Sequence, residues 1–270
     1  MQRKIQQHLS TPRSAIVGQR MAKSLRKHAG GTTETYITYG LTQTLFKTCS
    51  IQASYFIPED QRTNILTGKG PPKTAGGEDL GVPDADALAP LQWWFNDLGM
   101  QPTFSTWSQV TYLHMYLLTV RLRALDSQAA FQNYQRYLLE HFSNAAEDKM
   151  LILHSMSARG IRNRYLKDLF IQWRGLVAAY DEGLIKGDAV LGGAVWRNMF
   201  KGDEEVDWRK VGVIVGYMRR AISMLSKVEV NEIAKAIDGT DGIFQTARHD
   251  LFGIVEKNSV GIDEPFDKEE

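Results

Sequence analysis

The chain has 270 residues, of which 43% are hydrophobic and 10% aromatic, so it carries enough apolar material for a sizeable globular core. Its single cysteine, Cys49, excludes an internal disulfide framework and a cysteine-rich zinc site, and it favours a reducing compartment. No run reaches the roughly 18 uncharged apolar residues of a membrane-spanning helix, because polar side chains interrupt the nearest one, residues 104–120.

The net charge of +1 hides an uneven distribution of charge along the chain. Residues 1–32 contain seven bases and no acid, which leaves 25 bases and 31 acids for the other residues. A basic start without acids is typical of a mitochondrial targeting segment. A basic arm that binds RNA or anionic lipid and a disordered tail are the alternatives. We therefore assign residues 1–31 to a basic targeting or disordered segment.

The first part of the chain predicts one helix and one long loop. Apolar residues at helical spacing indicate a helix over residues 36–55. Residues 58–90 hold five of the eight prolines and five glycines, a composition that cannot bury a core, so we expect a Pro/Gly-rich surface loop over residues 59–90. After it, residues 91–98 are predicted to form a short helix that Gly99 ends.

The second part is helical in pattern. Residues 103–125 predict one long helix that is apolar on most sides, so we expect it to be the most enclosed helix of the protein. Further helices are predicted at 128–146, 161–182, 189–200 and 207–228, with a weaker one at 229–237. The sequence has no sustained period-two alternation and no Asn-Gly hairpin signal, so the predicted fold class is all-α.

These elements predict a single multi-helix domain over residues 32–240, with the loop at 59–90 inserted in it. Residues 241–270 would form a C-terminal extension. Its end, from Asp263, carries five acids and one lysine and is expected to be a disordered acidic tail.

No motif in the sequence makes a convincing catalytic, metal or cofactor site. GKGPPKT (68–74) lacks the Gly-Lys-Ser/Thr order of a phosphate loop, and DLGVPDADA (79–87) lacks the glycine and the distal glutamate of a calcium loop. No histidine lies in an H-E-x-x-H pattern, and Cys49 has no neighbouring basic cluster that would activate a thiol. We therefore predict no cofactor, no metal and no catalytic residue.

A cluster of bases lies in RGIRNRYLK, residues 159–167. Arg159, Arg162, Arg164 and Lys167 are candidates for contacts with RNA or with a ribosome. The alternative is a solvated face at the start of a helix. A run of this kind is more often such a solvated face, but bases near a helix N-terminus oppose the helix dipole, which is an argument for an anionic partner.

Residues 178–200 place two neighbouring carboxylates at a turn between two helices. Gly183 fits the C′ position of the first helix, and Asp188 fits the N-cap of the second. Asp181 and Glu182 would then lie in a last turn, where carboxylates oppose the dipole by about 0.3–1 kcal/mol each.

A cation should offset that unfavourable interaction. Arg121 and Arg123 of the central helix, and Arg197 of the second corner helix, are the candidates for this pairing. The corner would then be structural. The competing interpretation is an enzyme in which the two carboxylates act with His114.

Three stretches of the chain resemble a known family, the ubiquinol–cytochrome c chaperones in their fungal form. They are TFSTWSQVTYLHMYLLTVRLRAL (103–125), AAYDEGLIKGDAVLGGAVWRNMF (178–200) and TTETYITYGLTQTLFKTCSIQASYFIP (32–58). The resemblance covers about residues 32–58 and 91–228, and its motifs are specific as a set rather than singly.

The resemblance implies a helical chaperone domain without enzymatic activity or a small-molecule substrate. It implies a heterodimer with a small assembly-factor subunit, on the matrix side of the mitochondrion and peripheral to the inner membrane. The pair would bind newly made cytochrome b at the tunnel exit of the mitochondrial ribosome. It would promote cytochrome b translation and assembly of the bc1 complex, also called complex III.

The candidate surface for the client or partner, or the structural corner beneath it, takes residues from the central helix and the corner: Trp107, His114, Arg121, Arg123, Tyr180, Asp181, Glu182, Gly183, Asp188, Trp196 and Arg197. Two other functions stay open. One is an RNA- or ribosome-binding translational activator that holds no client. The other is a metal-dependent hydrolase that uses Asp181, Glu182 and His114.

Overall fold

The computed structural model describes residues 31–84 and 93–259, with side chains at all of these positions except 31–35, 66, 258 and 259. The predicted targeting segment up to residue 30 and the predicted acidic tail therefore lie outside the described residues. Within the described ranges the regular secondary structure is helical apart from one two-stranded antiparallel sheet and an isolated β-bridge between Lys73 and Asp79. The predicted all-α class is confirmed.

The N-terminal part consists of one long helix and several short elements. Helix α1 (Gly31–Ser50) passes into a 3₁₀ turn (Ile51–Ala53) and strand β1 (Tyr55–Phe56), so the helix ends before the predicted residue 55. They are followed by α2 (Glu59–Thr63), a second 3₁₀ turn (Ile65–Thr67) and β2 (Val82–Pro83).

The remainder is a multi-helix assembly. In chain order its elements are α3 (Trp93–Asn96), α4 (Phe104–Leu122), α5 (Gln128–Ile152), α6 (Arg159–Lys186), α7 (Asp188–Met199), α8 (Trp208–Leu225), a 3₁₀ turn (Val230–Glu232), α9 (Ile233–Ile237), α10 (Ile243–Thr246) and α11 (Leu251–Ser259). Every helix predicted between residues 103 and 237 is present. Helix α5 runs past residue 146, because the buried Met150 continues its apolar stripe by one turn after Ala146.

Helix α4 is the centre of the molecule, as predicted. It buries fourteen of its 19 residues. The Thr103 hydroxyl caps its N-terminus by accepting a hydrogen bond from the Thr106 amide, at 3.2 Å. One turn later the Trp107 indole donates to the Ser50 carbonyl at 3.0 Å, which fastens the end of α1 to the start of α4.

The segment from residue 59 to residue 84 has more structure than a loop. Besides α2, its strand β2 pairs with β1, with Tyr55 opposite Pro83 and Phe56 opposite Val82. His154, just after α5, joins the two parts: its Nε2 lies 2.6 Å from the Tyr55 hydroxyl and its Nδ1 lies 2.7 Å from Asp79 Oδ2. The amino-acid composition showed that this segment has few apolar residues. It could not show the polar contacts with His154 that hold the segment in place.

The hydrophobic core extends past residue 240, where the sequence predicted the helical domain to end. Ile243, Phe244 and Leu251 are buried, and they belong to the same hydrophobic core as the central helix. Helix α11 packs against α8, where Leu251 and Val255 approach the small residues Gly216 and Gly212. Four-residue helices such as α10 are too short to show a period in the sequence.

Candidate functional site at the corner between α6 and α7

The turn between α6 and α7 consists of one residue, Gly187, whereas the sequence predicted that the first helix ends at Gly183. Gly187, with φ of 108°, ends α6 and is also the N-cap of α7. Gly183 was predicted to end the helix, but it lies inside α6, where a Cβ atom would be 2.5 Å from the Leu191 Cα. It is a glycine because the backbones of the two helices meet there.

Asp188 is the first residue of α7 rather than its N-cap, and its carboxylate accepts a hydrogen bond from Arg219 of α8 at 2.8 Å. The same guanidinium donates to the Leu184 carbonyl at 3.1 Å, near the C-terminal end of α6. Arg219 therefore joins three helices at the corner. Sequence reasoning missed it, because an arginine in α8 carries no signal of which helix end it will reach.

Asp181 is held by the central helix. Its two oxygens accept hydrogen bonds from the two terminal nitrogens of Arg123, at 2.6 and 2.8 Å, and Oδ1 also accepts one from the Tyr116 hydroxyl at 2.8 Å. The predicted pairing with an arginine is confirmed, and Arg123 is the partner. The predicted reason is wrong, because α6 continues to Lys186 and Asp181 is outside its last turn.

The electrostatics of this cluster favour a charged pair beside a neutral phenol. The hydrogen bond with Asp181 raises the pKa of Arg123 above its ordinary value. Burial raises the pKa of Tyr116, and the neighbouring carboxylate raises it further. Glu182 takes no part: it is exposed and pairs with Lys186 at 2.6 Å, which lowers its pKa.

The two other candidate arginines have different roles. Arg121 donates from Nε and from a terminal nitrogen to the Val228 carbonyl, at 3.0 and 2.7 Å, and from Nε to the Leu225 carbonyl at 3.1 Å. It therefore binds carbonyl groups at the C-terminal end of α8. Arg197 is exposed on α7.

A half-open cleft of about 260 Å³ lies between the C-terminal ends of α4 and α8. It is lined by Leu117, Val120, Arg121, Ala124, Ile222, Leu225 and Ser226. Apolar walls suit the insertion of an apolar side chain from another protein, and the Arg121 guanidinium among them can help to set its position. This cleft was not predicted, because it depends on how two helices separate at their ends.

Besides Gly183, three of the candidate surface residues are buried and support the fold. Trp107 and Tyr180 are 1% and 0% exposed, and the rings of Tyr180 and Tyr116 pack edge to face. The prediction that these residues form a contact surface is therefore corrected. Apolar periodicity identifies the buried face of a helix more readily than the face that contacts a partner.

His114 is the third of them. Its Nδ1 lies 2.7 Å from the Val110 carbonyl, which can only accept, so Nδ1 carries the proton and Nε2 accepts from the Tyr217 hydroxyl at 2.7 Å. Burial lowers the pKa of His114 to about 3. The histidine is therefore a neutral link between α4 and α8.

The hydrolase interpretation receives no support from this geometry. Asp181 is bound to Arg123, Glu182 to Lys186 and His114 to Val110 and Tyr217. Over residues 31–84 and 93–259 no three histidine, cysteine or acidic side chains gather in an arrangement that could hold a metal ion.

Trp196 lies half-buried at the far end of α7, where its indole donates to the Asp203 carbonyl at 2.7 Å. Its ring centroid is 5.7 Å from that of Trp208, which is 56% exposed. Two neighbouring tryptophans on a surface are typical of protein interfaces. The sequence did not reveal this pair, since the two rings are brought together by the turn between α7 and α8.

The basic cluster at the start of α6 divides into two groups. Arg159, Arg164 and Lys167 are exposed. Arg162 is buried: it pairs with Glu147 at 3.1 Å and donates to the Met156 and Ser157 carbonyls at 2.9 and 2.6 Å. Arg162 thus fastens the turn between α5 and α6, and its predicted role in contacts with RNA or a ribosome is corrected to a structural one.

None of the helices in the described part of the chain is both long and apolar enough to cross a membrane. The same conclusion followed from the sequence, since the longest uncharged stretch, in α4, is rich in polar side chains.

Comparison with known proteins gives several relatives and one family. The chain is 30% identical over 184 residues to protein CBP3, mitochondrial, of Saccharomyces cerevisiae, which covers 68% of this chain and 55% of that protein. It is 30% identical over 140 residues to ubiquinol-cytochrome c reductase complex assembly factor 1 of Drosophila melanogaster, covering 50% and 52%. The human protein of that name is 26% identical over 138 residues, covering 50% and 43%.

The chain thus spans about half the length of these relatives. No solved structure matches it. The model of the ubiquinol-cytochrome C chaperone family matches residues 96–238, a range that contains the central helix, the corner and the cleft. Since this match extends over more than half of the chain, the protein belongs to the ubiquinol-cytochrome C chaperone family.

Proposed function

We propose that this protein is a non-enzymatic chaperone for assembly of ubiquinol–cytochrome c reductase, the bc1 complex or complex III. Family membership supports the proposal, and so do relatives whose names state assembly of that complex. Its place of action would be the matrix side of the mitochondrion, peripheral to the inner membrane. CBP3 of yeast is itself named as mitochondrial.

Within that function, the client is newly made cytochrome b. The protein works as a heterodimer with a small assembly-factor subunit, at the tunnel exit of the mitochondrial ribosome, where it also promotes cytochrome b translation. The supporting observation is that the family match covers the helices that form the cleft. A cleft with apolar walls and one arginine suits a client that is apolar and unassembled.

The cleft offers a mechanism for holding such a client. Val120 and Ile222 supply apolar surface, and Arg121 is kept in place by two carbonyl groups of the α8 end. A client side chain that enters the cleft buries apolar area without a nucleotide-driven step, and it is released when its final neighbours in the complex bury more.

The test is to deplete the protein in its own cells and to label newly made mitochondrial proteins. We expect labelled cytochrome b to be isolated with the tagged protein after cross-linking, and the bc1 complex to decline while other respiratory complexes persist. An undiminished bc1 complex in depleted cells would contradict the proposal. Replacing Val120 by Glu should weaken the isolation of cytochrome b, whereas the exposed Arg197→Ala variant serves as a control.

A second candidate is a translational activator that contacts the ribosome or RNA and holds no client. The observation in its favour is the exposure of Arg159, Arg164 and Lys167. In that case depletion would stop cytochrome b synthesis, but labelled cytochrome b would not be cross-linked to the protein after its release from the ribosome.

A further inference from the structure

Most residues in the N-terminal half of α6 are exposed. From residue 159 to residue 176 its buried residues are Arg162, Leu169, Trp173 and Leu176, which form one stripe at helical spacing. Opposite this stripe, about half a turn away, lie Arg164, Lys167, Ile171 and Arg174 at spacings of three and four residues. These four residues are called the basic stripe below.

The cations of the basic stripe do not serve the fold. Within the ranges that the structure describes, Arg164, Lys167 and Arg174 take part in no ion pair or side-chain hydrogen bond. Elsewhere in the molecule Arg123 and Lys201 form ion pairs with carboxylates. Arg164 and Lys167 also lie toward the N-terminal end of α6, where positive charge is unfavourable to the helix. An external anionic partner would account for their position.

The stripe also carries apolar surface. Ile171 is 66% exposed between Lys167 and Arg174, and Phe170 beside it is 50% exposed. An isoleucine gains nothing against phosphate groups or sugar, because nucleic acid binds through phosphate contacts and through stacking on flat side chains. It gains by burial against an apolar protein side chain. The exposed Ile171 therefore favours a protein partner over RNA, whereas the ring of Phe170 suits either.

We propose that the basic stripe binds an amphipathic, acidic helical segment of another protein, whose apolar residues cover Ile171 and Phe170 and whose carboxylates reach the three cations. The stripe is about 15 Å long, which matches about three turns of a partner helix. This goes beyond the proposed function, because membership of the family assigns neither this surface nor the chemistry of its partner. It also does not depend on the identity of the client.

The proposal can be tested on the purified full chain by fluorescence anisotropy. The probe is a labelled helical peptide of about 20 residues with leucines along one face and glutamates elsewhere. A peptide of the same composition with its leucines spread around the helix, and a single-stranded oligouridine of similar length, serve as comparison ligands. We expect the amphipathic peptide to bind about tenfold more tightly than either.

Variants locate the binding to the stripe. Arg164→Glu, Lys167→Glu and Arg174→Glu combined, and Ile171→Ser alone, should each weaken binding by about tenfold or more. The matched control is Lys227→Glu, Lys235→Glu and Lys257→Glu combined, which makes the same change in net charge at exposed positions elsewhere and should leave the affinity unchanged. Melting curves show that each variant is folded before its affinity is compared.

Several outcomes would overturn the proposal. They are equal or tighter binding of oligouridine, equal binding of the scrambled peptide, no binding of the amphipathic peptide, an equal loss of affinity in the control variant, or retained affinity in the Ile171→Ser protein. Removal of the acidic residues 260–270 should leave the affinity unchanged. If it strengthens binding about tenfold, the chain's own end covers the stripe, and the assignment to a separate partner fails.

Discussion

At the scale of single residues, three arginines of α4 and α8 hold the ends of neighbouring helices. Arg121 binds carbonyls at the end of α8, Arg123 binds Asp181 of α6, and Arg219 joins the α6 end to Asp188. All three are partly exposed, so each keeps part of its hydration while it satisfies groups of a neighbouring helix. Their guanidinium groups fix the distance between helices that apolar contacts alone would leave adjustable.

Replacing Arg123 by Ala should destabilise the protein by about 1–2 kcal/mol, because Asp181 loses two charge-assisted hydrogen bonds in a partly solvated site. Arg197→Ala, which removes an exposed arginine of α7, should change the free energy of unfolding by less than about 0.5 kcal/mol. Urea unfolding of the two variants beside the parent protein gives both values. Equal stability of all three would show that the Arg123–Asp181 pair contributes nothing.

The second prediction at this scale concerns pH. His114 has a pKa of about 3 in the folded protein against 6.5 as its ordinary value, so the unfolded chain binds more protons between these values. The stability that the neutral imidazole provides is therefore complete above pH 6.5 and is lost as the pH falls below it. The loss approaches about 1.4 kcal/mol per pH unit for this one group. His141 and His154, whose pKa values are also lowered by burial, act in the same direction.

The measurement is the free energy of unfolding from pH 7.5 down to about pH 5. The variant His114→Gln cannot titrate there, so its stability should fall less steeply with pH than that of the parent, whatever its stability at neutral pH. Parallel slopes in the two proteins would mean that His114 is accessible to protons in the folded state.

At the scale of elements, the sequence was informative about helices and uninformative about how they meet. Periodicity identified α4 to α8, and glycine identified the corner region. The helix end was predicted at Gly183 instead of Gly187. One glycine permits a positive φ and the other a close helix contact, and both look alike in a sequence. The choice of Arg123 over Arg121 and Arg197 likewise depends on the rotation of α4 against α6.

Gly183 gives the prediction for this scale. A methyl group there would lie 2.5 Å from the Leu191 Cα, so Gly183→Ala should force α6 and α7 apart and cost about 2–4 kcal/mol. Gly175→Ala is the matched control in the same helix. It meets no atom within 4 Å and should stabilise the protein by about 0.5–1 kcal/mol through helix propensity. Thermal melting of both variants tests the contrast, and a stable Gly183→Ala protein would rule out a close contact between the two helices.

At the scale of the whole molecule, the family match and the folded unit have different limits. The match ends at residue 238, and sequence patterns also indicated a boundary near 240. The core nevertheless includes Phe244 and Leu251. Arg248, between them, contacts three other segments: it donates to Gln52, it hydrogen-bonds Tyr217, and its guanidinium carbon lies 5.1 Å from the Trp93 ring centroid. Burial lowers the pKa of Arg248, and its interaction with Tyr217 acts in the opposite direction.

A chain that ends at residue 240 should therefore lose its cooperative fold, although it contains the entire family match. It would expose the core beneath Ile243, Phe244 and Leu251, and each of these side chains is worth about 1.5–3 kcal/mol when buried. Their sum is comparable to the whole stability of an ordinary domain. A chain that ends at residue 259 keeps all three and should melt cooperatively. Circular dichroism and thermal melting of the two truncated chains test this prediction. Cooperative melting of the shorter chain at an unchanged temperature would contradict it. In that case α10 and α11 would be an appendage, and the domain would end where the family match does.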